Sequence, residues 1–89
     1  MNIHAGDYVM VQSFEEVKPF YKFCDMVNDG TVITNTDYFT DEMLDAMGTS
    51  NKYKVIEANP DGIWIDIKGK MWCFDEQCIK DIYRLTKVN

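Results

Sequence analysis

The run Ile63-Trp64-Ile65-Asp66-Ile67 constrains this chain more than any other feature. Strict alternation over five residues fits a strand with one buried face, with three isoleucines on one side and Trp64 and Asp66 on the other. Just before it, Asn59-Pro60-Asp61-Gly62 reads as a tight hairpin connection. Pro60 presets a turn dihedral, Asp61 tolerates the next position, and Gly62 is expected to supply a left-handed residue. The first arm of that hairpin is Tyr53 to Ala58. Lys68-Gly69-Lys70 turns the chain again into Met71-Trp72-Cys73-Phe74. Asp75-Glu76-Gln77-Cys78-Ile79 reads as a helical or 3₁₀ turn, and Ile82-Tyr83-Arg84-Leu85 as a closing strand. The C-terminal half is therefore a β-meander.

The N-terminal half is less regular. Gly6-Asp7 signals a turn, and Tyr8-Val9-Met10-Val11-Gln12 reads as a short strand rich in β-formers. From Phe14 to Asn35 the pattern loosens. Glu15-Glu16-Val17-Lys18 suits one helical turn, which Pro19 cannot continue because it lacks an N–H. Phe20, Tyr21, Phe23 and Met26 make this stretch too apolar to stand free in water, so it is expected to fold back as a packed loop. Asn28-Asp29-Gly30 is a turn signal and Thr31-Val32-Ile33-Thr34 suits a short strand. Thr40 to Gly48 is the clearest helix: Thr40 caps it, Asp41 and Glu42 complement the positive end of its dipole, and Gly48 suits the C′ position. Met43, Leu44 and Met47 form its apolar stripe.

These segments resemble a known pattern. Gly6-Asp7-Tyr8-Val9-Met10-Val11 opens it, Tyr38-Phe39-Thr40-Asp41-Glu42-Met43 with Gly48 follows, then Tyr53-Lys54-Val55-Ile56 and Trp72-Cys73-Phe74-Asp75-Glu76. The chain resembles the small SH3-like barrel proteins encoded by bacteriophages and prophages, related in fold to the Mind bomb domain. The likeness covers nearly the whole length, and the apolar Phe14–Asn35 segment departs from it. It implies one SH3-like barrel domain over residues 1–89, mostly β, of about five strands with one or two short helical turns and a long loop after the first strand. It suggests a viral source and transfers no active site.

Composition sets the outer bounds. Eighty-nine residues allow a single domain, and 46% hydrophobic with 13% aromatic content is enough for that domain to fold. Three cysteines, Cys24, Cys73 and Cys78, are too few and odd in number for a disulfide framework. Met1-Asn2-Ile3-His4 carries neither a basic leader nor an apolar run, and no stretch approaches the ~20 apolar residues of a membrane span. A cytoplasmic setting with free thiols is expected, in the host cytoplasm if the gene is viral. The net charge of −6, with its nine bases scattered, argues against direct contact with nucleic acid.

No catalytic or metal set emerges. Cys73 and Cys78 are spaced C-x₄-C, which His4 and Cys24 could complete for zinc, but structural zinc sites favour C-x₂-C pairs, and packed inert thiols explain both residues better. Counting an EF-hand loop from Asp37 puts Glu42 where Gly belongs and Gly48 where Glu belongs, so a calcium loop fails. A lone histidine, with no Gly-rich phosphate loop, leaves no nucleophile–base pair. No cofactor is implied. The remaining candidates are surface groups. Phe39, Tyr53, Trp72 and Phe74 are expected in the core. Trp64, set off the isoleucine face beside Asp66, is either a lid over a barrel end or the long loop, or a surface anchor of the kind enriched in interfaces. Tyr38, Asp37 and Glu42 near the capped helix are weaker candidates.

The sequence is thus read as a non-catalytic protein-binding module whose partner is a host or phage protein. The alternative is an acidic inhibitor that occupies the nucleic-acid groove of a host defence or replication enzyme.

Overall fold

A computed structural model of the chain describes residues 2–21, 25–28, 31–34 and 39–85, the segments 25–28 and 31–34 through their backbone alone. Strand β1 (Tyr8–Val11) leads through helical turn α1 (Phe14–Val17) and a 3₁₀ turn (Lys18–Phe20) to a hairpin, β2 (Asp25–Asn28) and β3 (Thr31–Thr34). Helix α2 (Asp41–Ala46) precedes the meander β4 (Tyr53–Asn59), β5 (Gly62–Ile67) and β6 (Lys70–Phe74). A second 3₁₀ turn (Glu76–Cys78) then feeds β7 (Ile79–Tyr83). Five strands form one antiparallel sheet in the order β6-β5-β4-β1-β7, and β2-β3 pair with each other as a separate two-stranded sheet. The chain is mostly β, as expected, with β6 and β7 as the two edges of the main sheet.

The period-2 pattern decides which face is buried. Ile63, Ile65 and Ile67 of β5 lie inward with Val55 of β4, Val9 and Val11 of β1, Phe74 of β6 and Ile79 of β7. Each such aliphatic or aromatic side chain contributes about 1.5–3 kcal/mol by leaving water. Ile65 is wholly enclosed at the middle of the sheet, and Ile65→Ala would cost about 2–5 kcal/mol. Helix α2 seats Met43 and Ala46 in this core, with Leu44 packed at its margin and Met47 just beyond its end. Phe39 joins the layers: its ring lies edge-on to Phe14 at 6.1 Å and Tyr21 at 5.3 Å, and stacks on Phe74 at 6.3 Å. Tyr53 and Trp72 pack against the core but are only partly covered.

The caps are local chemistry. Thr40 Oγ1 accepts from Met43 N at 3.3 Å, as the sequence suggested. Gly48 follows the helix with φ +74°, and its N–H bonds Val11 O at 3.1 Å, while a Cβ there would press on Ser13. The helix end is thereby tied to β1.

Four expectations need revision. The segment from Phe14 to Asn35 has the expected helical turn and the strand at Thr31–Thr34, but more regular structure than a packed loop. Ser13 Oγ caps α1 by accepting from Glu16 N at 3.3 Å, Pro19 sits at the start of the 3₁₀ turn where its missing N–H is not needed, and β2 and β3 form a hairpin. The described residues therefore hold two α and two 3₁₀ turns rather than one or two helical turns. The closing strand begins at Ile79, three residues before the expected Ile82. Gly62 has the positive φ expected of it, 158°, but as the first residue of β5, paired with Asn59, rather than within the turn. A Cβ on Gly62 would collide with Cys73 Sγ and press on Phe74 O, so glycine serves close approach of β6. The left-handed pair belongs to the next hairpin, where Lys68 (φ 52°) and Gly69 (φ 86°) make the two-residue turn joining Ile67 to Lys70.

Candidate binding face

The outward side of the β4–β5–β6 meander is built by the same alternation that fills the core. With Ile63, Ile65 and Ile67 inward, Trp64 and Asp66 must project from the opposite face. Across the ladders, Trp64 stands opposite Glu57 on β4 and Cys73 on β6, and Asp66 stands opposite Met71. A bulge between Val55 and Glu57 inserts Ile56 into β4. Ile56 is 41% exposed and Met71 57%. Trp64 is half-buried and lies outside the buried cluster and its packed margin. The result is a surface in which an indole, a thioether and an isoleucine are interleaved with Glu57 and Asp66.

Asp66 also serves the fold, because its Oδ1 accepts from Gly69 N at 2.8 Å and holds the Lys68-Gly69 turn. Glu42 is on a different surface. It is exposed in the first turn of α2 and lines a small cleft of about 120 Å3 with Asp45, Asn51, Tyr53 and Lys68. Asp37 and Tyr38 lie outside the described residues. Trp64 and Asp66 are therefore brought together, and Glu42 is not joined to them.

A second concave region lies at the end of the sheet where the β4–β5 turn approaches the Glu76–Cys78 turn. This cleft, about 410 Å3, is lined by Asn59, Asp61, Asp75, Glu76 and Gln77 together with Asn2 and Ile3, and by no basic side chain among the described residues. The sequence reading did not single it out, because turn chemistry explains each of these residues separately.

Two polar constellations also escaped the sequence reading. Asp7, 3% exposed, accepts from Arg84 Nε and Nη2 at 2.8 Å each and from His4 N at 2.9 Å. The Arg84 hydrogen bond, aided by the His4 amide, brings its pKa from 3.8 down to about 2. The Tyr21 hydroxyl donates to Asp75 Oδ2 at 2.7 Å, accepts from Gln77 Nε2 at 3.2 Å and lies 3.3 Å from Cys78 Sγ. Burial, followed by its contacts with Cys78 and Asp75, pushes the Tyr21 phenol well above its ordinary value. Burial likewise raises the thiols of Cys73 and Cys78, so both are protonated at neutral pH. The described residues hold no group of three or more His, Cys, Asp or Glu side chains placed to share a metal ion. Nor do they hold a helix long and apolar enough to cross a membrane.

No protein-family model, curated protein or solved structure matches the chain.

Proposed function

We propose that this chain is a non-catalytic protein-binding module of the SH3-like barrel type, encoded by a phage or prophage and acting on a host or phage protein through the face around Trp64. The observation that carries the reading is the placement of Trp64: a large aromatic off the core, in register with Glu57 and Cys73 and flanked by exposed Met71 and Ile56. Aromatic and methionine side chains with a polar rim are what interface centres favour. The barrel reading is supported by the strand order, in which β7 returns beside β1, and by the 3₁₀ turn that links edge strand β6 directly to edge strand β7. The non-catalytic reading is supported by the raised thiols and by a tyrosine whose hydroxyl is already engaged. Affinity capture with the tagged chain tests the proposal. A specific partner retained by wild type and lost with Met71→Asp supports it, and equal retention by both rejects this face.

The acidic-inhibitor reading draws on the cleft lined by Asp61, Asp75 and Glu76, with no base among the described residues that line it. A groove-blocking acid would bind a basic enzyme surface and release it steeply as salt rises, whereas an indole-centred interface would persist.

A further inference from the structure

The segment ahead of β1 is fastened through one ion pair. Residues 2–4 belong to no helix or strand, and backbone pairing with the sheet begins at Gly6, whose N–H bonds Val55 O at 2.8 Å. Among the described residues, the hydrogen bonds of residues 2–4 all run to Asp7 or Arg84. His4 N donates to Asp7 Oδ2 at 2.9 Å, His4 O accepts from Asp7 N at 3.0 Å, and Asn2 O accepts from Arg84 Nη2 at 3.2 Å. Asp7 and Arg84 are themselves joined by two bonds of 2.8 Å, with the carboxylate buried and the guanidinium half-exposed.

What this segment covers is apolar. Ile3 is half-buried and packs against the core, and with Asn2 it lines the cleft of about 410 Å3 together with Ala58 and Ile63. Ala58 and Ile63 stand opposite each other in the β4–β5 ladder, on the inward face. One isoleucine seat and three hydrogen bonds that share a single ion pair hold a segment less firmly than continuous ladders hold strands. Segments held in this way open locally, without global unfolding. We propose that residues 2–4 are a strap, seated by Ile3 and latched by Asp7 and Arg84, which lifts as one body while the five-stranded sheet stays folded and so extends the cleft onto Ala58 and Ile63. The inference is independent of what the Trp64 face binds.

Amide hydrogen exchange of the full chain, followed by NMR at low urea concentrations, tests it. The reference is the Ile65 amide at the centre of the sheet, between Val55 and Trp72. In wild type the His4 and Asp7 amides are expected to exchange together, faster than Ile65 and independently of urea, because a local opening exposes little surface. Exchange that rises with urea in step with Ile65 overturns the strap, since the segment then opens only when the domain unfolds. Arg84→Gln removes the charged donor and is expected to speed both amides about tenfold, still without urea dependence. Unchanged rates overturn the latch. Ile3→Ala leaves Asp7 and Arg84 in place and should quicken the same two amides together; quickening of neither removes Ile3 from the moving body. A soluble paramagnetic chelate reads the cleft. It should broaden the methyl signals of Ala58 and Ile63 more in Arg84→Gln than in wild type while leaving those of Ile65 as they were. Equal broadening in the two proteins overturns the claim that lifting the strap extends the cleft.

Discussion

Arg84 holds Asp7 through two parallel hydrogen bonds of 2.8 Å, joining residues 77 positions apart in the chain. The same guanidinium reaches Asn2 O at 3.2 Å, and the carboxylate also takes the His4 amide. Asp7 O in turn accepts from Val55 N at 2.7 Å, so one residue fastens the N-terminal turn, the start of β1, β4 and the segment after β7. A bidentate Arg–carboxylate pair is the strong form of this interaction.

The pH dependence follows with a definite sign. The folded pKa of Asp7, about 2, lies below its ordinary 3.8, so its contribution is fully present above pH 3.8 and is lost as the pH falls through 2. Acid titration followed by circular dichroism should show wild type losing stability across that window. Asp7→Asn, which cannot ionise, should start less stable at neutral pH and show a flatter acid limb. An unchanged acid limb would mean that the pair does not hold the fold together.

The Tyr21 hydroxyl connects the 3₁₀ turn after α1 to the one before β7. Tyr21→Phe keeps the edge-on contact with Phe39 and removes only the oxygen, leaving Cys78 Sγ without that partner. A loss of about 1–2 kcal/mol is expected. That is a melting temperature lower by roughly 4–16 °C in a domain of this size. Thermal melts of the two proteins at one pH decide it.

Gly62→Ala tests the close approach of β5 and β6. The new methyl meets Cys73 Sγ and Phe74 O, and overpacking of this kind costs about 1–3 kcal/mol. Cys73→Ala removes the sulfur and should recover part of the loss in the double variant, leaving the pressure on the Phe74 carbonyl. Additive losses in a double-mutant cycle would show that the two positions do not touch.

How far the sequence foretold this arrangement depended on the range of the interaction. The isoleucine alternation, the Lys68-Gly69-Lys70 turn, the Thr40 cap and the Met43/Met47 stripe are local, and each was legible because its cause lies within a few residues. The α1 cap had a signal that was passed over, since Ser13 and Glu16 have the spacing of a capping box. The positive φ of Gly62 was legible from the turn, but its second role was not: the close approach of Cys73 depends on the neighbouring strand. Asp7–Arg84 and Tyr21–Asp75 were invisible for a stronger reason: they arise when β7 returns beside β1 and the two 3₁₀ turns meet. Trp64 and Asp66 were legible as a face, while the register that sets Glu57, Cys73 and Met71 beside them required the ladders.

The last prediction concerns Trp64 itself. A tryptophan that seals a core costs about 3–5 kcal/mol when truncated, enough to unfold much of a small domain. Trp64 is half-buried against its cross-strand neighbours and lies outside the buried cluster, which is centred on Ile65, Phe74 and Val55 on the other side of the sheet. Trp64→Ala is therefore expected to keep the folded spectrum and to lower stability by less than about 2 kcal/mol, the scale of partial burial. Its larger effect should fall on partner capture, weakened by about 2 kcal/mol or more if this indole is an anchor. Asp66→Lys cannot separate the two roles, because that carboxylate also holds the Gly69 amide. Glu57→Lys is the better companion: it reverses a charge directly across from Trp64, at an exposed position for which the described residues show only a 3.5 Å contact from Asn59 Nδ2. Melting and capture measured on the same preparations give a clear decision. A large loss of stability with binding intact in the folded fraction would make Trp64 a structural lid and remove this face from the proposal.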